Sequence, residues 1–534
     1  MFKIINSIEI KISFIGVFTG VLLFSCTDEN RIHSNYIPDN ACAVININSE
    51  KIINDAAFDL MLNNDLGGGF SLLPLSGILK DPSSAGIKLF TKYHVFISGS
   101  TLFDVRLGAI LPLEDSEDLV EYIEENLKVE VVENKGLKIV EISPGHNLIW
   151  DDYTALYYFG KSQEGLIEEG KKLFNQSEKE SLASKDSTFS YTLGENVHTS
   201  AWIKNKDFIQ LINQASLGLG ELNAFDFLLK ENQTLEDGKT VFFTSFNKGN
   251  ISVRHRHYFN SGKIKKDTIK AQNYISSLVP MAISENPMVL ISASIHSDVF
   301  AEIIKLFGFD LGFHKQIADF SVSPTINQFS EYLQRDVLVL IDGFEEVKKI
   351  KEVPDLDDEG NDILISKEVV EKNPVVSFGL GIKDSIKFNF MMNLLSSDLP
   401  KVDGFFNYND ELYFTVKGDY FFLTSAKKGI KPLIEMNGKL SKNLNSAVEA
   451  NQTVYYFDVI EILQKDQRFS QLSTFGFDEL NNILIFNNGG LDKGISEGEV
   501  KVNFKNQQNS FVSSLKLFSE LVNALNFSDS IGIQ

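Results

Sequence analysis

The chain is 534 residues long, 43% hydrophobic, and carries a formal net charge of −22. That length and apolar content favour two or more packed domains. The charge repels phosphate backbones and anionic head groups, which excludes nucleic acid as a partner and a polybasic stretch as a membrane contact.

Lys3 and Lys11, diluted by Glu9, make the start mildly basic, and Phe14 to Phe24 is nearly all apolar or small. Such a run is too short to span a bilayer as a helix and fits the h-region of a secretion signal. It ends in Leu23-Phe24-Ser25-Cys26. A leucine three places before a cysteine, with a small residue just before it, resembles the bacterial lipobox, although Phe24 is bulkier than is usual there. Residues 1–25 are therefore expected to be a lipoprotein signal peptide. Cleavage would make Cys26 the first mature residue, carrying a diacylglyceryl thioether and palmitate-like chains. Two or three such chains anchor stably where one is marginal. Removing the signal leaves a mature charge of −23, so the membrane contact has to be the lipid. Asp28 and Glu29 follow the cysteine closely and resemble the surface-export signal of Bacteroidota lipoproteins. The expected location is the cell envelope, lipid-anchored at the outer membrane, with display at the cell surface.

Residues 26–35 form a short polar tether. Ala43 to Ile47 reads as a strand, and Ser49 as the cap of a helix carrying Ile52, Ile53 and Phe58. Gly67-Gly68-Gly69 lacks the Gly-Lys-Ser/Thr of a phosphate loop and reads as a turn. Tyr93 to Ser98 and Asp104 to Leu113 make a strand pair, and Glu114 to Leu127 an amphipathic helix. Three strands follow to Trp150, then the apolar strand Thr154 to Phe159 and a helix opened by Ser162. The polar run Gln176 to Ser187 reads as a surface loop. Val197 to Ile203 is a strand, and Thr240 to Phe246 with Ile251 to Phe259 is a hairpin turning at Asn247-Lys-Gly-Asn250.

The pattern then restarts. Pro287 to Ser297 matches Ala41 to Ser49, Asp336 to Ile341 matches Tyr93 to Ser98, and Gly418 to Ala426 matches Asp151 to Tyr158. The offsets drift but keep their order: Ser49 to Ser297 is 248, Asp152 to Asp419 is 267, Trp202 to Phe457 is 255. The extra residues of the second copy fall in the charged stretch Val347 to Glu371. The expectation is a tandem duplication, with copy 1 over 36–273 and copy 2 over 274–534. Strands adjoin through turns without regular βαβ alternation. Each copy is thus expected to be α+β, a mostly antiparallel or mixed sheet with helices packed on one face.

Candidate chemistry is sparse. His255 and His257 share one strand face but alternate with Arg254 and Arg256, with no third ligand at metal spacing, so a solvated face is expected. His94, His198 and His296 are expected to be packed or edge residues. Asp355 to Asp362 echoes half an EF-hand loop, but Ser366 stands where a bidentate glutamate is required, so the stretch reads as a hairpin tip. Asp151, Asp152, Asp410 and Glu411 sit at turns, where paired carboxylates serve either turn geometry or glycoside hydrolysis. Cys42, in an apolar run, reads as a small buried residue. No catalytic, cofactor or metal residue is assigned.

The lipobox, the opening Tyr36-Ile-Pro-Asp-Asn-Ala and the two-copy layout together resemble an uncharacterised lipoprotein family of Bacteroidota. The resemblance implies an envelope lipoprotein and carries over no activity or site. The leading expectation is a non-enzymatic, lipid-anchored protein that binds an envelope protein or a glycan. The alternatives are a hydrolase of envelope or extracellular polymers and a structural or assembly lipoprotein.

Overall fold

The computed structural model describes residues 33–61, 83–101, 103–160, 165–216, 238–259, 277–294, 333–356, 362–396, 399–408, 412–465, 469, 472–473, 476–488 and 494–517. Two compact units emerge. One is Met1–Lys266 with Thr474–Glu479 and Gly490–Gln534; the other is Asp267–Ser473 with Leu480–Gly489.

The first unit holds β1 (Ala41–Asn48), β2 (Lys92–Ser98), β3 (Arg106–Pro112), β4 (Val132–Asn134), β5 (Leu137–Ser143), β6 (His146–Trp150), β7 (Thr154–Gly160), β8 (Thr199–Lys204), β9 (Lys239–Asn247) and β10 (Asn250–Tyr258). Every pairing is antiparallel, in the order β4-β5-β6-β7-β3-β2-β1-β8-β9-β10. Its helices are α1 (Ser49–Met61), α2 (Ser116–Tyr122), α3 (Leu166–Asn175), α4 (Leu182–Lys185), α5 (Ser187–Gly194) and α6 (Asn205–Ser216).

These helices cover both faces of the sheet, not the single face the sequence suggested. Ile52 and Ala56 of α1 and Leu119 of α2 pack with Ile47, Val95, Leu111, Trp150 and Tyr157. On the opposite face Leu166 and Leu173 of α3, Leu182 of α4 and Phe189 of α5 pack with Val44, Phe96, Ile110, Leu156 and Trp202. Strand β7, Thr-Ala-Leu-Tyr-Tyr-Phe-Gly, is apolar on both sides because both sides are covered.

Local chemistry sets the helix starts. Asp115 accepts from the backbone N–H groups of Glu117 and Asp118 at the head of α2. At α1 the cap is Asn48, whose Oδ1 accepts from Lys51 N at 3.1 Å. Ser49, the expected cap, is buried and donates its hydroxyl to the carbonyl of Thr91 at 2.8 Å. The polar run expected as a loop includes α4, capped by Ser181 and seated through Leu182.

The second unit holds β11 (Val289–Ser294), β12 (Leu333–Leu356), β13 (Asp362–Ile382), β14 (Lys401–Val402), β15 (Phe405–Asn407), β16 (Tyr413–Lys417), β17 (Tyr420–Thr424), β18 (Thr453–Asp458) and β19 (Leu480–Asn487). Its order is β14-β15-β16-β17-β13-β12-β11-β18-β19, again antiparallel. Its helices are α7 (Ser385–Leu395), α8 (Lys427–Glu435), α9 (Lys442–Ala450) and α10 (Val459–Lys465). Ile430 of α8 and Val448 of α9 pack with Leu338, Phe422 and Val454 on one face. Phe388 and Met392 of α7 pack with Ile382, Phe414 and Leu423 in a separate cluster. Beyond β19 the chain supplies β20 (Ile495–Phe504), paired along the whole of β10, and α11 (510–517), whose Phe511 and Val512 join the core of the first unit.

Over nine strands, β1–β9 and β11–β19, the two orders coincide, and so do the registers. One row across the first sheet reads Tyr158, Gly108, Phe96, Val44, Trp202, Val241. Its counterpart reads Phe422, Gly379, Leu338, Ser292, Val454, Phe486. The glycine recurs because a side chain lies across it: a Cβ on Gly108 would stand 2.1 Å from the Phe96 ring, and one on Gly379 2.5 Å from Met281 Sδ.

The units part company where the strands leave the sheet. Between β2 and β3 the chain turns at once, held by Asp104, which accepts from Ser100 N and Thr101 N. Between β12 and β13 it runs on. Phe344↔Pro374 to Leu356↔Asp362 is a two-stranded ribbon, beyond the points where β11 and β17 pair with these strands. Thirteen residues per strand span roughly 40 Å at about 3.3 Å each.

Candidate functional site

Buried polar groups concentrate in the first unit. Asn46 on β1 lies between His94 on β2 and Ser200 on β8. Its Nδ2 donates to Ser200 Oγ at 3.0 Å and to Thr192 Oγ1 of α5 at 3.2 Å. Oδ1 is thereby the acceptor, so His94 Nδ1, 2.8 Å away, carries the proton. Burial, then the charges of His33 and Lys92, push the imidazole down to about 3. It is a neutral donor inside a closed network and holds no free base or nucleophile. In the second unit the matching cross-strand pair is Ser294 opposite Asp336.

His198 has the look of half a catalytic relay. Its Nε2 lies 2.9 Å from Asp55 Oδ2, but its Nδ1 accepts from Phe246 N at 3.1 Å. With that lone pair engaged, the ring cannot take a proton from a hydroxyl. Burial holds it down at about 4 against the opposing pull of Asp55. His257 is not on the solvated face expected of it. It is buried, its Nδ1 2.8 Å from Thr240 Oγ1, with Phe259 edge-on at 4.3 Å, and burial brings it to about 4. His255 lies beside Phe242 and is also lowered by burial. Among the described residues no three His, Cys, Asp or Glu side chains gather as a metal site. His296 lies outside them.

Asp151 is engaged locally, accepting from Tyr153 N and Thr154 N at 2.9 Å each, while Asp152 is exposed beside it. Asp410 and Glu411 lie outside the described residues, as do Asp357 to Gly360; Asp355 pairs with Ile363, and Asp362 with Leu356 at the end of the ribbon. Cys42 is a free, buried thiol pushed up to about 12 by burial, then by the charge of Asp207. Leu23, Phe24, Ser25, Cys26, Asp28 and Glu29 all lie outside the described residues.

What remains is surface: the first unit exposes Phe103 at 78% and Val132 at 58%, and the second sets exposed apolar pairs on two of its elements. On one face of the ribbon Ile350 is 79% exposed and its diagonal neighbour Val370 52%, framed by the ion pair Lys348–Glu368 at 2.6 Å. Helix α7, Ser-Ile-Lys-Phe-Asn-Phe-Met-Met-Asn-Leu-Leu, is apolar on more than one side. Phe388 and Met392 face the core; Ile386 and Phe390 are 83% and 70% exposed. This face was missed in the sequence, where its signal was a helix with apolar residues on more than one side. Asp342 sits where the ribbon departs, beside Gly343 at φ 104°. Its Oδ1 accepts from Ser284 N at 3.1 Å, and burial raises the carboxyl to about 6.

No protein-family model and no curated protein matches the chain. Solved structures of TP0453 are similar to it in part. Crystal form I is 11% identical over 48% of this chain and 89% of that one, with a TM-score of 0.28. Form III gives 11%, 45%, 84% and 0.27, and form IV 12%, 42%, 79% and 0.26. An overlap of that size says nothing of what the chain does.

Proposed function

We propose that the chain is a lipid-anchored envelope protein that works by binding, acylated at Cys26, with two copies of one α+β design as its body. The shared strand order and the matching rows through Gly108 and Gly379 support the duplication. The lipobox Leu23-Phe24-Ser25-Cys26 supports the anchor, Asp28 and Glu29 support display at the surface, and the resemblance to Bacteroidota envelope lipoproteins fits all three. The partner is an envelope protein or a glycan.

The observation that carries binding is the ribbon. A two-stranded hairpin is marginal alone in water, and this one holds Ile350 and Val370 out in solvent, an arrangement that gains stability when another surface covers it. An assembly role would use the same element. A hydrolase built on turn carboxylates draws no support from Asp151, whose carboxylate is taken by two turn amides.

The test replaces residues 347–371 by an Asn-Gly turn in the full chain. A native envelope partner captured by the parent chain should be lost from the shortened one; equal capture overturns the ribbon as the binding element. Anchoring is read separately, by labelled palmitate. Label persisting in Cys26→Ala would sink the assignment of Cys26. Protease applied to intact cells should cleave the displayed chain, and complete protection would count against surface display.

A further inference from the structure

We propose that α7 makes a second contact with the membrane: Ile386 and Phe390 seat among the head groups and upper acyl chains of a lipid bilayer. The inference rests on the anchoring reading only for keeping the chain close to a bilayer. Three observations favour lipid as the occupant.

First, the two side chains stand at i and i+4 on one helix and are 83% and 70% exposed, so both project from the same stripe. Second, the stripe is small: the ribbon offers thirteen residues per strand, whereas α7 offers two projecting side chains. Two such side chains supply only a few hundred Å2, well below the roughly 800 Å2 per partner of a stable protein interface. A fluid bilayer demands no complementary shape and accepts a small wedge. Third, the charge is right. In a chain of net charge −22, α7 contains no acidic residue. Exposed Lys383 and Lys387 stand at its N-terminal end, where the carboxylate of Asp384 is engaged as the helix cap and pairs with Lys387 at 3.2 Å. Lysines beside projecting apolar groups suit phosphate head groups above acyl chains.

The first unit supplies an internal contrast. Helix α2 follows β3 as α7 follows β13, each capped by an aspartate, Asp115 and Asp384. The exposed side chains of α2 are Glu117, Asp118 and Glu121, which a phosphate surface repels.

The test uses the full acylated chain in phosphatidylcholine vesicles, plain or with dibrominated acyl chains that quench tryptophan by contact. Trp150 and Trp202 are buried, so they give a constant background. The added emission of Phe390→Trp should fall at least twofold in brominated vesicles, whereas that of Glu121→Trp should not change. Equal Phe390→Trp emission in both vesicles overturns the proposal. Combining Ile386→Asn with Phe390→Trp should restore at least half of the lost emission, and undiminished quenching overturns the role of the pair. A blue shift of Phe390→Trp caused by envelope proteins without vesicles marks a protein as the occupant and overturns the lipid assignment. The two readings fail separately. Loss of palmitate label with quenching retained in added vesicles rejects Cys26 alone; label without quenching rejects α7 alone.

Discussion

The hairpins β2–β3 and β12–β13 leave equivalent strands through a glycine of positive φ, Gly99 at 102° and Gly343 at 104°. One closes within a few residues on Asp104; the other continues to Leu356 before it turns back. The helices that follow differ in the same sense, α2 showing carboxylates to solvent and α7 showing Ile386 and Phe390. The rows through Gly108 and Gly379 stay in step despite this. A sheet covered on both faces fixes the register of its interior, because a slip of one residue would exchange the two cores. Growth at a strand end or a new outward face on a helix leaves that interior alone. The first unit is built inward, around buried polar groups; the second carries its novelty outside.

Acid should separate the two most strongly. His94, His198 and His257 are held at about 3, 4 and 4, below the ordinary 6.5 of an unfolded chain. Their contribution is complete above pH 6.5 and is lost as pH falls toward 4, because the unfolded chain then binds more protons. The first unit is expected to lose several kcal/mol across that window. Trp150 and Trp202 both lie in it, so a denaturant titration followed by tryptophan emission at pH 7.5 and 4.5 reads it directly. An unchanged midpoint would refute the burial of these rings.

Next come the paired glycines. Gly108→Ala drives a methyl into a fully buried ring and should cost about 3 kcal/mol. Gly379→Ala meets the thioether of Met281, which can swing aside, and should cost about 1 kcal/mol. Melting of the two variants ranks them; an inverted order would mean the two slots are not packed alike.

The last effect has the opposite sign to the first. Asp342 is raised to about 6 from 3.8, so its share of stability is present at low pH and lost as pH rises from about 4 through 6. Asp342→Asn keeps an acceptor for Ser284 N and should stabilise the second unit by about 1–2 kcal/mol at pH 7, with no gain at pH 4. Amide hydrogen exchange in β12 and β13 measures it, and slower exchange at pH 4 alone would contradict the assignment.

Much of this interior was legible. The strand read at Thr154 to Phe159 is β7, and the hairpin at Asn247-Lys-Gly-Asn250 turns at Gly249, φ 71°. Periodicity reveals that a helix has an apolar side but not which face of the sheet receives it, so the two-sided cover was missed. Polar residues usually mark surface, which concealed Ser49 and His257; Ser49 donates to the carbonyl of Thr91, and His257 meets Thr240 through Nδ1. The excursion Val347 to Glu371 was legible as added length and charge, whereas its form as a ribbon depends on cross-strand pairing that local pattern does not encode. The candidate site was not legible at all, since Ile386 and Phe390 look like core residues in any sequence.

Cys42, finally, gives the molecule a clock. The thiol is fully enclosed at the start of β1, and burial keeps it from forming the reactive thiolate. If Cys26 is acylated, no other sulfhydryl competes with it. A maleimide should therefore react only as fast as β1 opens, so the labelling rate times the breathing of the first unit alone, in an otherwise intact chain on its membrane.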